Sequence, residues 1–206
     1  MNIKPYNVLL LRAMQHIIFA LLLFPLMSHA ASNSTAPEWS IEQLMLDLAQ
    51  GHHEHASFTE IKSIAILDKP AESSGELFYK APDYLEKRTL KPKPESMIVN
   101  GNELLIQRGT KKYHLQLQSY PELAAFIGSV RGTLSGDMKA LQRNYQLSLD
   151  GSEASWTLQL LPLDKKMQAI LKRINMTGMH DQVHGIEIIQ ADGDSSLMTI
   201  EQLDTP

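Results

Sequence analysis

Two hydrophobic periods divide this chain. Over residues 41–48, Ile41, Leu44, Met45 and Leu48 recur at i, i+3, i+4 and i+7, the single apolar stripe of a short amphipathic helix. Ser40 and Gln43 are spaced as a Ser-x-x-Gln capping box, Trp39 is placed to staple onto Leu44, and Gly51 supplies a stop. From Ser57 the period falls to 2. Runs rich in Ile, Phe, Tyr and Leu are cut by turn residues at Asp68-Lys69-Pro70, Ala81-Pro82-Asp83, Lys91-Pro92-Lys93-Pro94, Asn100-Gly101 and Arg108-Gly109. Asn100-Gly101 is the strongest hairpin signal, because both residues tolerate the positive φ of a type I′ turn. Over 113–118, Tyr113, Leu115 and Leu117 fall on one face, with His114, Gln116 and Gln118 on the other. Half of each strand is wet, which points to an antiparallel sheet with one covered face.

Helical periodicity returns at Ser119-Tyr120-Pro121-Glu122, which has the cap, early Pro and acidic first turn of a helix start. Leu123, Phe126, Ile127 and Val130 form its stripe, and Gly132 is its expected end. After Ser135-Gly136, residues 137–144 read as a second short helix carrying Met138 and Leu141. Strands resume over 145–150 and 155–161, with a turn expected at Asp150-Gly151 and with Trp156, Leu158 and Leu160 inward. A helical stretch near 164–171 precedes strands at 174–179, 183–190 and 195–203, joined by turns at His180-Asp181 and Asp192-Gly193-Asp194. Helix, meander, helix pair, hairpin, helix, meander: the order predicts an α+β fold around one large antiparallel sheet.

The first thirty residues obey different rules. Lys4 and Arg12 precede an apolar run over 17–24, which ends at Pro25 and leads to Ser28-His29-Ala30-Ala31. This is the grammar of a secretory signal peptide, a positive segment, a core of about ten apolar residues and a small-x-small site, with the cut expected after Ala30. The run falls short of the ~20 residues that a membrane-spanning helix needs. The expected product is a single domain over 31–206, exported and soluble. The chain has no Cys, so no disulfide staples the fold and no thiol is present for lipidation at the cleavage site. Loss of residues 1–30 leaves 17 basic against 23 acidic residues, a net charge of −6, which gives nucleic acid and anionic bilayers no electrostatic hold.

Candidate chemistry is sparse. His52-His53-Glu54-His55 offers metal-ligand types, but consecutive residues diverge, and histidines are at home at the helix C-terminus expected there. His180 and His184 flank a hairpin turn. Asp192-Gly193-Asp194 resembles part of a calcium loop without its remaining oxygen ligands, and suits a plain turn. Glu60 and Lys62 share one strand face, which allows an ion pair or general acid–base work. There is no nucleophile elbow, phosphate-cradling loop or thiol nucleophile, so no catalytic residue, metal site or cofactor is expected. The salient feature is apolar excess. Leu77, Tyr79, Met97, Val99, Leu115, Leu117, Trp156 and Leu158 are bulky and share an inward phase; they form either a packed core or the lining of a lipid-sized cavity.

Several segments, in order along the chain, carry a family resemblance. They are Phe58, the run Gly75-Glu76-Leu77-Phe78-Tyr79-Lys80-Ala81-Pro82, Leu85-Glu86-Lys87, and Met97-Ile98-Val99-Asn100-Gly101-Asn102-Glu103-Leu104; then Trp156-Thr157-Leu158-Gln159-Leu160-Leu161-Pro162 and the closing Ala191-Asp192-Gly193-Asp194-Ser195-Ser196-Leu197-Met198-Thr199-Ile200. The pattern resembles the LolA family of periplasmic outer-membrane lipoprotein carriers, and Arg131-Gly132-Thr133-Leu134-Ser135-Gly136-Asp137 suggests a divergent branch of it. The resemblance implies an incomplete, half-open antiparallel β-barrel with an apolar concave face, and helices packed over it as a lid. The lid residues would be Leu123, Phe126, Ile127, Val130, Met138 and Leu141, with Gly128, Gly132 and Gly136 as hinge points. It further implies a non-enzymatic, monomeric periplasmic carrier of a lipoprotein or another acylated lipid, which receives cargo from an inner-membrane releasing machine and passes it to an outer-membrane acceptor. The alternative is an enzyme that uses the open barrel as a reaction chamber for an apolar substrate. One departure stands out: the typical carriers have Arg before the Pro that ends the Gly-x-hydrophobic strand, and here that position is Ala81.

Overall fold

The computed structural model describes residues 39–51 and 53–203, so the expected signal peptide and its cleavage site lie outside the described residues. Eleven strands form one sheet: β1 (His53–Ser63), β2 (Ala71–Lys80), β3 (Tyr84–Lys91), β4 (Glu95–Asn100), β5 (Glu103–Arg108), β6 (Lys111–Gln116), β7 (Tyr145–Ser152), β8 (Ser155–Pro162), β9 (Leu171–Met179), β10 (Gln182–Gln190) and β11 (Ser195–Gln202). Their spatial order is β6-β5-β4-β3-β2-β1-β11-β10-β9-β8-β7. Every neighbouring pair is antiparallel. The sheet is two meanders fused where the first strand meets the last, with Phe58 opposite Ile200. β6 and β7 stay unpaired with each other, so the barrel is incomplete, as the family resemblance implies.

Among the described residues four α-helices accompany the sheet in an α+β fold: α1 (Ile41–Leu48), α2 (Pro121–Leu134), α3 (Met138–Gln142) and α4 (Lys165–Gln168). The cap of α1 is half of the expected box. Ser40 Oγ accepts from the Gln43 N–H at 3.2 Å, while the Gln43 side chain donates to Asp47 instead. The α1 stripe buries Leu44, Met45 and Leu48 against Trp156, Leu158, Leu160, Ile174 and Met176 on β8 and β9. A second cluster gathers Val99, Leu104, Leu117 and Ile127 beside β4–β6.

Local departures from the expected elements have physical reasons. β1 begins at His53, so His55 is a strand residue; it stacks on Phe78, ring centroids 4.3 Å apart. The strand expected over 113–118 ends at Gln116, and Leu117 begins a 3-10 turn that leads into α2. α2 runs through Gly132 to Leu134. Gly132 lies inside the helix because Leu141 packs where a Cβ would stand, and Gly136, at φ 65°, ends the segment against the Met45 carbonyl. The β7–β8 turn is at Glu153-Ala154, with Ser152 opposite Ser155, and not at Asp150-Gly151. Gly151 is within the strand at φ 100°, where a side chain would collide with the Ser155 carbonyl.

Candidate functional site

Register fixes which residues share the covered face. Ala56 opposes Leu77, Leu77 opposes Lys87, Lys87 opposes Met97 and Met97 opposes Ile106. On the other flank Phe58 opposes Ile200, Glu60 opposes Met198, Met198 opposes Ile186, Ile186 opposes Met176 and Met176 opposes Leu158. By this alternation Leu77, Tyr79, Met97, Val99, Leu115, Trp156 and Leu158 all lie on the inner face; Leu117, beyond the end of β6, is buried beside them.

That face is filled at both ends and open in the middle. Trp156 (1% exposed) and Leu158 (0%) lie under α1 and α3 as core. Leu115 and Leu117 pack beneath Leu123 and Ile127 in the second cluster. Between the two clusters lies a cavity of about 450 Å³, in the size range of small-molecule sites. Of the eight sheet residues singled out in the sequence, Leu77, Tyr79, Met97 and Val99 line it. Leu85, Met176, Val183, Ile186, Ile188, Met198 and Ile200 complete the apolar wall. Sequence reasoning missed all seven; five of them lie on β10 and β11, and nothing local says that β11 comes next to β1.

α2 roofs the cavity. Phe126, Ile127, Val130 and Leu134 face it, while Leu123 packs in the second cluster. Met138 and Leu141 on α3 belong to the first cluster and do not border the cavity, so only one helix of the pair covers it. Buried Ser129 and Thr133 are satisfied by carbonyls of the same helix, those of Phe126 and Ser129. α2 is tied to the sheet rim by Arg131, which donates to the Gly101 carbonyl at 2.6 Å and the Asp83 carbonyl at 3.4 Å.

One end of the cavity is ionic. Glu60, 5% exposed, accepts from Lys87 Nζ at 2.5 Å, Ser196 Oγ at 2.6 Å and Ser73 Oγ at 3.3 Å, with Lys62 Nζ 3.5 Å away. Lys87 also lies over the Phe58 ring, 4.7 Å from its centroid. Burial alone would raise the Glu60 pKa. The hydrogen bonds from Lys87 and Ser196 and the charges of Lys87 and Lys62 outweigh it, holding the carboxyl below the ordinary carboxylate range. Glu60 is thus an anchored carboxylate, the opposite of a general acid kept protonated for proton donation. The Glu60–Lys62 pair was readable two residues apart on one strand; Lys87 entered only through the β2–β3 register. At the other end, burial and then the charge of Asp181 push Glu54 above its ordinary value, against a hydrogen bond with Gln202.

The remaining candidates are structural. His52 lies outside the described residues, and His55 is 3.7 Å from Glu76. Among the described residues, no group of three or more metal-ligating side chains converges on one point. His180 is 3.2 Å from Glu153, and its carbonyl accepts from Trp156 Nε1 at 3.0 Å. Asp194 accepts from the Ala65 N–H at 2.8 Å, tying the β10–β11 turn to the loop after β1. Among the described residues no helix is long and apolar enough to cross a membrane.

An open eleven-stranded sheet with a helix laid over an apolar hollow offers room for an apolar ligand, and the sequence places the chain in a family. Residues 31–201 match the family described as outer membrane lipoprotein carrier protein LolA-like, and the chain belongs to that family. Solved structures with a similar fold include a LolA superfamily protein from Nitrosomonas europaea, at 9% identity and TM-score 0.44, covering 81% of this chain and 95% of that one. Another is a putative outer membrane lipoprotein-sorting protein domain from Vibrio parahaemolyticus, at 11% identity and TM-score 0.44, covering 81% and 92%. The MucA/MucB complex of Pseudomonas aeruginosa matches at 12% identity and TM-score 0.46, covering 81% and 58%. No curated protein sequence matches the chain.

Proposed function

We propose that this protein is a periplasmic carrier that takes acyl chains of a lipoprotein or other lipidated cargo into the cavity beneath α2 and moves them between inner and outer membranes. The cavity of about 450 Å³, walled by residues of β1–β4, β9–β11 and α2, carries this reading. Each buried methylene of a chain contributes about 0.8 kcal/mol, so a long chain offsets the packing that α2 gives up when it lifts. Residues 1–30 are the export signal, cut after Ala30, and the monomer exchanges cargo with a releasing machine at the inner membrane and an acceptor at the outer. Gly128, inside α2 with open space where a Cβ would stand, and Gly136 beyond its end are the points about which the roof moves. The family description, that of a carrier, supports the same reading.

The test is transfer of a fluorescent acylated peptide from donor to acceptor vesicles. Transfer should rise in proportion to protein concentration and fall to the spontaneous rate when Met198→Trp fills the cavity. Transfer that never exceeds the spontaneous rate would refute the carrier function.

A further inference from the structure

The cavity is polarised along β1. Its inner-face residues run Ala56, Phe58, Glu60, Lys62, and the walls change with them. In register Leu77 stands beside Ala56 and Ser196 beside Lys62; Lys87 lies opposite Leu77, and its ammonium reaches along the cavity to Glu60. A cavity for hydrocarbon alone has no use for a carboxylate and two ammonium groups. Nor does the Glu60–Lys87 pair have a ready justification in stability, since desolvating a buried pair consumes most or all of its Coulomb gain and an apolar pair of similar volume holds a fold equally well.

We infer that the Lys62–Lys87 end of the cavity is a head-group site, and that the cargo is an amphiphile whose anionic head, a carboxylate or phosphate, lies there with its chain toward Leu77 and Ile127. This deepens the carrier reading and rests on it. Lys62 and Lys87 stand against Glu60 and, on the same rim, Asp194, so the signs balance and the attraction for an anion rests on unused lysine donors rather than on net charge. Among the described residues Lys62 forms an ion pair only with Glu60, at 3.5 Å, beyond strong hydrogen-bond distance. Its donors are therefore available to a ligand. Lys87 is fixed by Glu60 and the Phe58 ring, which presents its ammonium to the cavity without further ordering cost. Ser196 supplies a hydroxyl beside it. Asp194, a second carboxylate on this rim, accepts from the Ala65 N–H with one oxygen and keeps its charge. Glu86 also borders the cavity, but its carboxylate is engaged by Tyr84 and Arg88. Glu54 lies at the far end, beside Tyr79 in register.

The experiment compares equilibrium binding of a long-chain fatty acid, its methyl ester and the corresponding alkyl phosphate to the full mature protein at neutral pH. Charge-assisted contacts of this kind correspond to a preference of about tenfold or more for acid and phosphate over ester. Lys62→Gln, at a half-exposed position, should cut the preference several-fold. Glu60→Gln, which removes the internal competitor, should increase it; the paired Glu60→Gln/Lys87→Gln variant keeps the site uncharged there and should reduce it. Equal affinity for acid and ester in the wild type, or a preference indifferent to all three variants, would overturn the head-group assignment while leaving the carrier reading standing. Failure of every chain probe to bind would remove both. Displacement of the acid by acetate alone would mean a free-anion site and would also overturn the assignment.

Discussion

Arg131 on α2 donates a 2.6 Å hydrogen bond to the carbonyl oxygen of Gly101, in the turn between β4 and β5. The contact joins the roof of the cavity to its rim, and it is made by an arginine of the helix. The same guanidinium reaches the Asp83 carbonyl at 3.4 Å, so one side chain clips two turns. Hydrogen bonds from charged donors contribute about 1.5–3 kcal/mol. Arg131→Met should therefore lower stability by roughly 1–2 kcal/mol in denaturant titration, and should speed both uptake and release of an acyl probe in stopped-flow measurements. A stability loss with unaltered exchange rates would make the contact a brace only.

Core and cavity should respond differently to mutation although they share one sheet face. Leu158, fully buried under α1, should cost about 2–5 kcal/mol on Leu158→Ala, with no change in the chain length preferred by the protein. Met97, on the cavity wall, should cost less on Met97→Ala and shift preference toward longer or bulkier chains. Thermal melts paired with a chain-length series of fatty acids separate the two.

Acid should act on Glu60 and Glu54 with opposite signs. Glu60 has a lowered folded-state pKa, so its contribution to stability is present above the ordinary carboxylate range and is lost as pH falls through the folded value. Glu60→Gln should be destabilising at neutral pH, and the gap from wild type should close on acidification. Glu54 has a raised folded-state pKa, so its charged form is disfavoured and stability is lost as pH rises through the folded value. Glu54→Gln should stabilise at neutral pH and converge with wild type in acid. Melting temperatures across a pH series check both signs.

The alternation of Leu77, Tyr79, Met97, Val99, Trp156 and Leu158 made the inner face legible in the sequence, because side-chain direction in a strand is local. The stripe of Phe126, Ile127 and Val130 likewise placed α2 over it. Whether a given inner residue is core or cavity was not legible. Trp156 and Met97 have the same strand phase, and they differ because α1 and α3 cover β8 while Met97, at the edge of the second cluster, also borders the hollow. That distinction depends on the β1–β11 pairing across the whole chain, which also carries Met198 and Ser196 to Glu60 and Lys62. Gly151 and Gly132 misled for a different reason. Close backbone or side-chain approach requires glycine there, and sequence alone gives the same signal as a turn or a helix stop.

Photo-crosslinking tests the central claim most directly. A long-chain fatty acid bearing a diazirine is bound to the mature protein, irradiated, and the labelled residues are located by mass spectrometry. Labels should fall on Leu77, Met97, Val99, Phe126, Ile127 and Met198, and should disappear in Met198→Trp. Labelling confined to Ile61 and Leu197 on the outer face, or to β7 and β8, would contradict a chain-binding cavity under α2.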